Sequence, residues 1–152
     1  MLLAEESVEI ACALEVVRSQ FGDVAHHQRQ GLHRGVHFEV IADDGATCRY
    51  RQVTAVGPLR LGQDLVVDRS IDGPLLNLIV AGQFHGGVIT FEFTDGDGVT
   101  RVTATVEAPL RGIGRVTAPL VRAKVARSLR RALAEDQADL ESGTYAGGRA
   151  AS

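Results

Sequence analysis

Several residue types are scarce in this 152-residue chain, and the scarcity excludes some classes of protein. There is no tryptophan, and two tyrosines and five phenylalanines offer few rings on which nucleic-acid bases stack. The formal net charge is −3, so the chain has no excess of positive charge to attract a polyanion. We therefore expect no nucleic-acid partner.

Cysteines and long apolar runs are scarce as well. Cys12 and Cys48 are too few for a disulfide framework or a cysteine zinc site, and free thiols suit a reducing compartment. The first residues turn acidic at Glu5 and Glu6, unlike a signal peptide. No apolar run approaches the roughly 18 residues of a membrane span. We expect a cytoplasmic protein without stable membrane insertion.

What the chain does contain is typical of one globular domain. Apolar residues make up 45% of it and charged residues 23%, with 17 glycines and four prolines. Residues 144–152 are small and polar. We predict a single ligand-binding domain over residues 1–143 and a flexible tail over residues 144–152, in a monomer or a homodimer.

Hydrophobic periodicity predicts an α+β fold. Polar and apolar residues alternate over 6–11, which predicts a strand, and two short helices follow within 13–31. A stripe of apolar residues at helical spacing predicts a long C-terminal helix over 118–141. Between these helical segments, turn signals separate six further strands, at residues 32–42, 46–56, 59–69, 75–81, 83–94 and 99–108.

This order of elements resembles that of the START-like, polyketide cyclase/dehydrase-type (SRPBCC) superfamily. Residues 7–17, SVEIACALEVV, are similar to the superfamily's first strand and the start of its first helix. The resemblance implies a helix-grip fold, in which a seven-stranded curved antiparallel sheet wraps around the long C-terminal helix. It also implies a cavity between sheet and helix that holds hydrophobic or amphipathic molecules.

The leading prediction is therefore a carrier or sensor that binds a lipid, polyketide or aromatic type of small molecule and needs no cofactor. Side chains from the strands and the long helix are expected to line the cavity, with polar groups directing the ligand. From the alternation, we assign to this lining Phe38, Tyr50, Gln52, Leu61, Leu65, Phe91, Phe93, Val121, Val125 and Leu129.

One alternative is an enzyme of the cyclase, aromatase or dehydratase type. It needs an acid-base group in the cavity, within hydrogen-bond reach of the substrate proton. The candidate catalytic residues are Tyr50, His37 and His85, with Arg51 as a partner for an oxyanion or a carboxylate. Their spacing follows no known catalytic motif.

Four histidines are clustered in sequence, at positions 26, 27, 33 and 37. His26 and His27 are adjacent, so on a helix they point about 100° apart. His33 and His37, placed on one strand, lie about 13 Å apart, too far for one ion. We therefore predict no metal site and expect structural or solvent-exposed roles for these residues.

A second alternative is an interaction module that uses the basic C-terminal helix. Its cations lie opposite the apolar stripe, which favours a solvent-exposed face over binding to an acidic protein or an anionic surface. The acidic residues that follow them, Glu135 to Glu141, run against the helix macrodipole. The basic residues are Arg111, Arg115, Arg122, Lys124, Arg127, Arg130 and Arg131.

Overall fold

The computed structural model describes residues 1–56 and 58–145, which form seven strands and four helices. The observed α+β order agrees with the predicted one, apart from α3, a short helix that the sequence analysis does not predict. In chain order the elements are β1 (Leu2–Ile10), α1 (Leu14–Gly22), α2 (Val24–Gln30), β2 (Val36–Asp43), β3 (Thr47–Val56), β4 (Leu59–Asp68), β5 (Leu75–Ala81), β6 (Val88–Gly96), β7 (Val99–Glu107), α3 (Ile113–Val116) and α4 (Ala118–Glu141).

The strands form one antiparallel sheet with the order β1-β7-β6-β5-β4-β3-β2. Strands β2 to β6 each pair with the next strand along the chain, as in a meander. β1 instead pairs with β7, the strand that is farthest from it in sequence, and Val8 lies opposite Val102. The predicted seven-stranded curved antiparallel sheet is confirmed.

One face of the sheet, the inner face, carries the core and packs against α1 and α4. On β7, Val102, Ala104 and Val106 are buried, in the alternation that the sequence predicts. The second half of α4 contributes Leu133 and Leu140, both at most 2% exposed. Each fully buried side chain of this kind stabilises the fold by about 1.5–3 kcal/mol. The second half of α4 is therefore held firmly.

Two contacts fix the course of α4 along β1. Arg130 donates to Glu6 at 2.7 Å, and the backbone N–H of Ala11 donates to the side chain of Glu141 at 3.0 Å. The helix thus runs in the same direction as β1. Residues of α4 before Arg130 therefore lie toward the start of β1. In this antiparallel sheet, the start of β1 is at the same end as the last residues of β3 and the first residues of β4.

Two strands begin later than predicted. β2 starts at Val36, so His33 lies in the loop that precedes the strand and does not share a strand with His37. β6 starts at Val88 because residues 82–87 form a turn, in which the N–H of Gly86 donates to Ile79. None of the helices in the described part of the chain is long and apolar enough to cross a membrane.

Tyr145, which lies within the segment 144–152 predicted to be a flexible tail, packs against the rest of the protein. This residue is only 4% exposed, and its ring centroid lies 4.6 Å from that of His26. Its hydroxyl donates to Asp23 at 3.1 Å. The packed part of the protein therefore reaches at least Tyr145. The rest of the predicted tail, 146–152, lies outside the described residues.

Candidate functional site

The four candidate catalytic residues do not meet. Tyr50 is buried on the inner face of the sheet. His37 and Arg51 are exposed on the outer face, where Arg51 donates to Asp64 at 2.9 Å and lowers the pKa of that carboxyl. His85 is exposed in the turn between β5 and β6. Of the four candidates, Tyr50 alone projects inward, so the four side chains do not converge on one place.

The hydroxyl of Tyr50 is already engaged within the core. It donates to the side-chain oxygen of Asn77 at 2.7 Å, and burial raises the pKa of Tyr50 well above its usual value. Asn77 is itself 4% exposed. A phenol that is buried, protonated and donating to a fixed acceptor is poorly placed to exchange protons at neutral pH.

The residues assigned to the ligand lining divide into two groups. Tyr50, Leu65 and Leu129 are buried, and Phe91 and Phe93 pack against the ring of Phe21 on α1, with centroid distances of 5.1 and 5.7 Å. The first three belong to the buried core, and the two half-buried phenylalanines pack against it. The second group consists of Phe38 and Val125, which are half-buried and also pack against the core, of Gln52 and Val121, which are half-buried, and of Leu61, which is 41% exposed.

The first half of α4 and one end of the inner face of the sheet both retain accessible surface. Every residue from Ala118 to Ser128 is partly or fully exposed, whereas the rest of α4 buries four residues. At the same end of the sheet, the inner-face side chains of β3 and β4 are also partly or fully exposed. We call this region the open end and define it by Gln52, Thr54, Leu61, Gln63 and residues 118–128.

Two grooves lie elsewhere on the surface. The larger, of about 670 Å³, lies beside α1 and is lined by residues such as Arg18, Asp43 and Arg69. The smaller, of about 270 Å³, lies on the outer face of the sheet beside Arg51 and Asp64. Both have charged linings and lie outside the space between the sheet and α4, so neither is the predicted apolar cavity.

A buried group of histidines and carboxylates joins α2 and the following loop to α4. His26 contacts Asp139 at 2.8 Å and His27 contacts Asp136 at 2.8 Å. His33 contacts Glu135 at 3.2 Å and the second oxygen of Asp136 at 3.5 Å. We call this group the histidine–carboxylate cluster; its members are His26, His27, His33, Glu135, Asp136 and Asp139.

The surroundings of the cluster are both polar and aromatic. The amide nitrogen of Gln20, which is fully buried, donates to Asp136 and to Asp139, at 3.0 Å each. The ring of Phe38 lies 5.9 Å from that of His27. Burial lowers the pKa of His27, but the hydrogen bond and the charge of Asp136 outweigh it, so the pKa is raised overall. The cluster therefore attracts positive charge.

No protein-family model and no curated protein matches the sequence of this chain. Solved structures do share its architecture. TTHA0849 from Thermus thermophilus superposes with a TM-score of 0.82 at 18% identity, covering 93% of this chain and 98% of that protein.

Two further structures match over nearly their whole length. The Zhui aromatase/cyclase from a Streptomyces species has a TM-score of 0.74 at 14% identity, covering 95% of this chain and 96% of that one. A START superfamily protein from Mycobacterium smegmatis has a TM-score of 0.66 at 15% identity, covering 90% and 97%. The chain has the helix-grip fold.

The histidine–carboxylate cluster of this helix-grip chain is not predicted from the sequence pattern. The pattern places His33 on a strand, whereas this residue lies in the loop before β2 and contacts Glu135 on α4. The sequence did contain one indication of the cluster, because the acidic C-terminal part of the long helix is unfavourable with respect to the helix macrodipole. The structure accounts for these acidic residues, because Glu135, Asp136 and Asp139 each contact a histidine.

Proposed function

We propose that this chain binds a hydrophobic or amphipathic small molecule at the open end, as a carrier or sensor. The observation that carries the proposal is the contrast between the two halves of α4. The second half buries Leu129, Leu133 and Leu140, while residues 118–128 remain partly or fully exposed. An apolar ligand inserted there would remove exposed apolar surface from water, which is favourable.

The chemistry of the open end suits an amphipathic ligand. Leu61, Val121 and Val125 supply apolar surface, while Gln52 and Gln63 lie opposite each other on β3 and β4. The side-chain oxygen of Gln63 accepts from a backbone N–H at 3.3 Å, which leaves its amide hydrogens for a ligand. Small-molecule sites combine mostly apolar surface with a few polar groups in this way.

The enzyme alternative finds less support at this location. Tyr50 is committed to Asn77, and His37, His85 and Arg51 do not face the inner side of the sheet. A cyclase or dehydratase reaction needs an acid-base group within hydrogen-bond reach of its substrate. Binding without covalent change therefore accounts better for the residues at the open end.

The experiment compares ligand binding by two valine variants. The probe is anilinonaphthalene sulfonate, which fluoresces in apolar sites, and native mass spectrometry with a long-chain fatty acid gives an independent reading. Val125→Trp fills the open end, whereas Val80→Trp makes the same replacement at a residue of β5 that is 47% exposed. We expect at least about tenfold weaker binding for Val125→Trp and unchanged binding for Val80→Trp.

Circular dichroism and melting temperature establish that both variants are folded. Equal binding by the two folded variants would place the probe elsewhere and contradict the proposal. So would a wild-type protein that binds neither the dye nor the fatty acid.

A further inference from the structure

Three side chains from separate parts of the chain meet inside the protein. Nε2 of His27, on α2, lies 2.8 Å from one oxygen of Asp136, and Nε2 of His33, from the following loop, lies 3.5 Å from the other. One ligand atom from each residue lies within 4.8 Å of the other two. We propose that His27, His33 and Asp136 bind a divalent transition-metal ion, and that Zn²⁺ matches the site best.

The contacts of the second ring nitrogen, Nδ1, in each histidine support this assignment. Nδ1 of His27 lies 2.9 Å from the backbone oxygen of Asp23, and Nδ1 of His33 lies 3.2 Å from Glu135. The other oxygen of Glu135 accepts from the backbone N–H of Arg34 at 3.0 Å, which holds the carboxylate in place. Metal-bound histidines donate their second N–H to oxygens of this kind, which orients the other nitrogen toward the ion.

The oxygens around both rings require positive charge on the histidines or between them. In His27 and His33 each ring nitrogen faces an oxygen acceptor, whereas a neutral imidazole has one N–H and one lone pair. Either a second proton on each ring or one divalent ion between the two Nε2 atoms and Asp136 would supply this charge, and the response to added Zn²⁺ distinguishes the two.

The donor set and its spacing select the metal. Two imidazole nitrogens and one carboxylate oxygen suit Zn²⁺, whereas Mg²⁺ and Ca²⁺ prefer oxygen ligands. Zinc bonds of about 2.0–2.2 Å in tetrahedral geometry place neighbouring ligand atoms about 3.3–3.5 Å apart. The two histidines lie 2.8 and 3.5 Å from the two different oxygens of Asp136, and one ligand atom of each residue lies within 4.8 Å of the others. The side chains would move to share one ion.

The position of the site indicates a structural role. His27, His33 and Asp136 are 6%, 9% and 4% exposed, so a bound ion would have little access to substrate. His27 and Asp136 are 109 residues apart in sequence. Since structural zinc contributes directly to folding free energy, the ion would fix α2 and the loop before β2 against α4.

The test uses the full-length chain, freed of metal with a chelator. Co²⁺ serves as a spectroscopic substitute for Zn²⁺, and Mg²⁺ is the negative control. We expect one equivalent of Co²⁺ to give the visible absorption bands of a low-coordinate site, and Zn²⁺ to displace it. Zn²⁺, but not Mg²⁺, should raise the melting temperature, because it binds the folded state.

Variants then locate the ion. Asp136→Asn and His33→Ala should abolish the cobalt bands and weaken zinc binding by more than about 100-fold, because each removes a direct ligand. His37→Ala and His85→Ala, at exposed histidines outside the cluster, should bind as the wild type does. Glu135→Gln keeps all three ligands and should weaken binding by about tenfold.

Several results would overturn the assignment. If Zn²⁺ does not raise the melting temperature, protons on the histidines alone neutralise the carboxylates of the cluster. Cobalt bands that persist in both ligand variants, or that disappear in His37→Ala or His85→Ala, would place the metal elsewhere. Should the ligand variants fail to fold, unchanged zinc affinity in folded Glu135→Gln would count against the site.

Discussion

Tyr50 and Asn77 are linked across strand β4 by a hydrogen bond of 2.7 Å, with the tyrosine hydroxyl as donor. The two residues are 5% and 4% exposed. The bond connects β3 to β5, which do not pair directly with each other. It therefore adds a side-chain connection to the backbone ladder, in the part of the sheet that packs against the core.

Removal of this hydroxyl should destabilise the fold. Tyr50→Phe leaves the side-chain oxygen of Asn77 buried without a donor, so we expect a loss of about 1–3 kcal/mol in the free energy of unfolding. Urea denaturation measures the change. The double variant Tyr50→Phe/Asn77→Leu removes both polar groups and should recover part of the loss. A Tyr50→Phe variant as stable as the wild type would show that the bond contributes nothing.

The two halves of α4 should respond differently to truncation. Leu133 is 2% exposed and Leu120 is 58% exposed, although both lie on the same helix. We expect Leu133→Ala to lower the free energy of unfolding by about 2–5 kcal/mol, since it creates a cavity in the core. Leu120→Ala should change it by no more than about 0.5 kcal/mol. Similar losses in the two variants would mean that the first half of the helix is packed after all.

Gly87 occupies a place where no larger residue fits. A Cβ atom there would lie 2.7 Å from the backbone oxygen of Glu107 and 2.9 Å from that of Phe84. Because this backbone belongs to the turn and to the paired end of β7, Gly87→Ala should cost more than about 2 kcal/mol. The control is Gly45→Ala, at a positive φ of 91° with open space around it, which should cost about 1–2 kcal/mol. A cost no larger for Gly87→Ala, measured by thermal unfolding, would contradict this interpretation.

The two thiols should differ in reactivity. Cys48 is fully buried, and burial raises its pKa to about 11, whereas Cys12 is only partly buried. Since the thiolate is the reactive form, a disulfide reagent should modify Cys12 first in the native protein and reach Cys48 only on unfolding. The Cys12→Ser variant should then contain no rapidly reacting thiol. Equal rates for the two cysteines would be inconsistent with a buried Cys48.

The long helix and most strand positions are predictable because local patterns determine them. The apolar stripe predicts a helix over 118–141, and α4 spans those residues. Successive side chains of a strand point to opposite faces, so alternation along β3 separates inward-facing Tyr50 from outward-facing Arg51, although both were named as candidates for one catalytic site. The same rule, applied to β2 with Phe38 inward, places His37 outside the core.

The histidine–carboxylate cluster was not predictable in the same way. His33 lies in a loop between Gly31 and Gly35, both with positive φ, and its position depends on contacts with Glu135 and Asp136. No periodicity links residues about 100 positions apart. The one indication in the sequence was that acidic residues occupy the C-terminal part of α4. What they bind depends on which element packs against that part of the helix.

The pairing of β1 with β7 has a consequence for how the chain folds. Val8 and Val102 face each other, so this pairing closes a loop of about 90 residues, whereas the other strand pairs are local hairpins. Loop-closure entropy grows with the logarithm of the enclosed length, and pairing of distant segments slows folding. We expect the hairpins of β2 to β7 to form first and β1 to join late, with α4 docking on it. The histidines of α2 would therefore meet the carboxylates of α4 only in the last steps, so that a metal ion would consolidate a nearly folded chain rather than nucleate it.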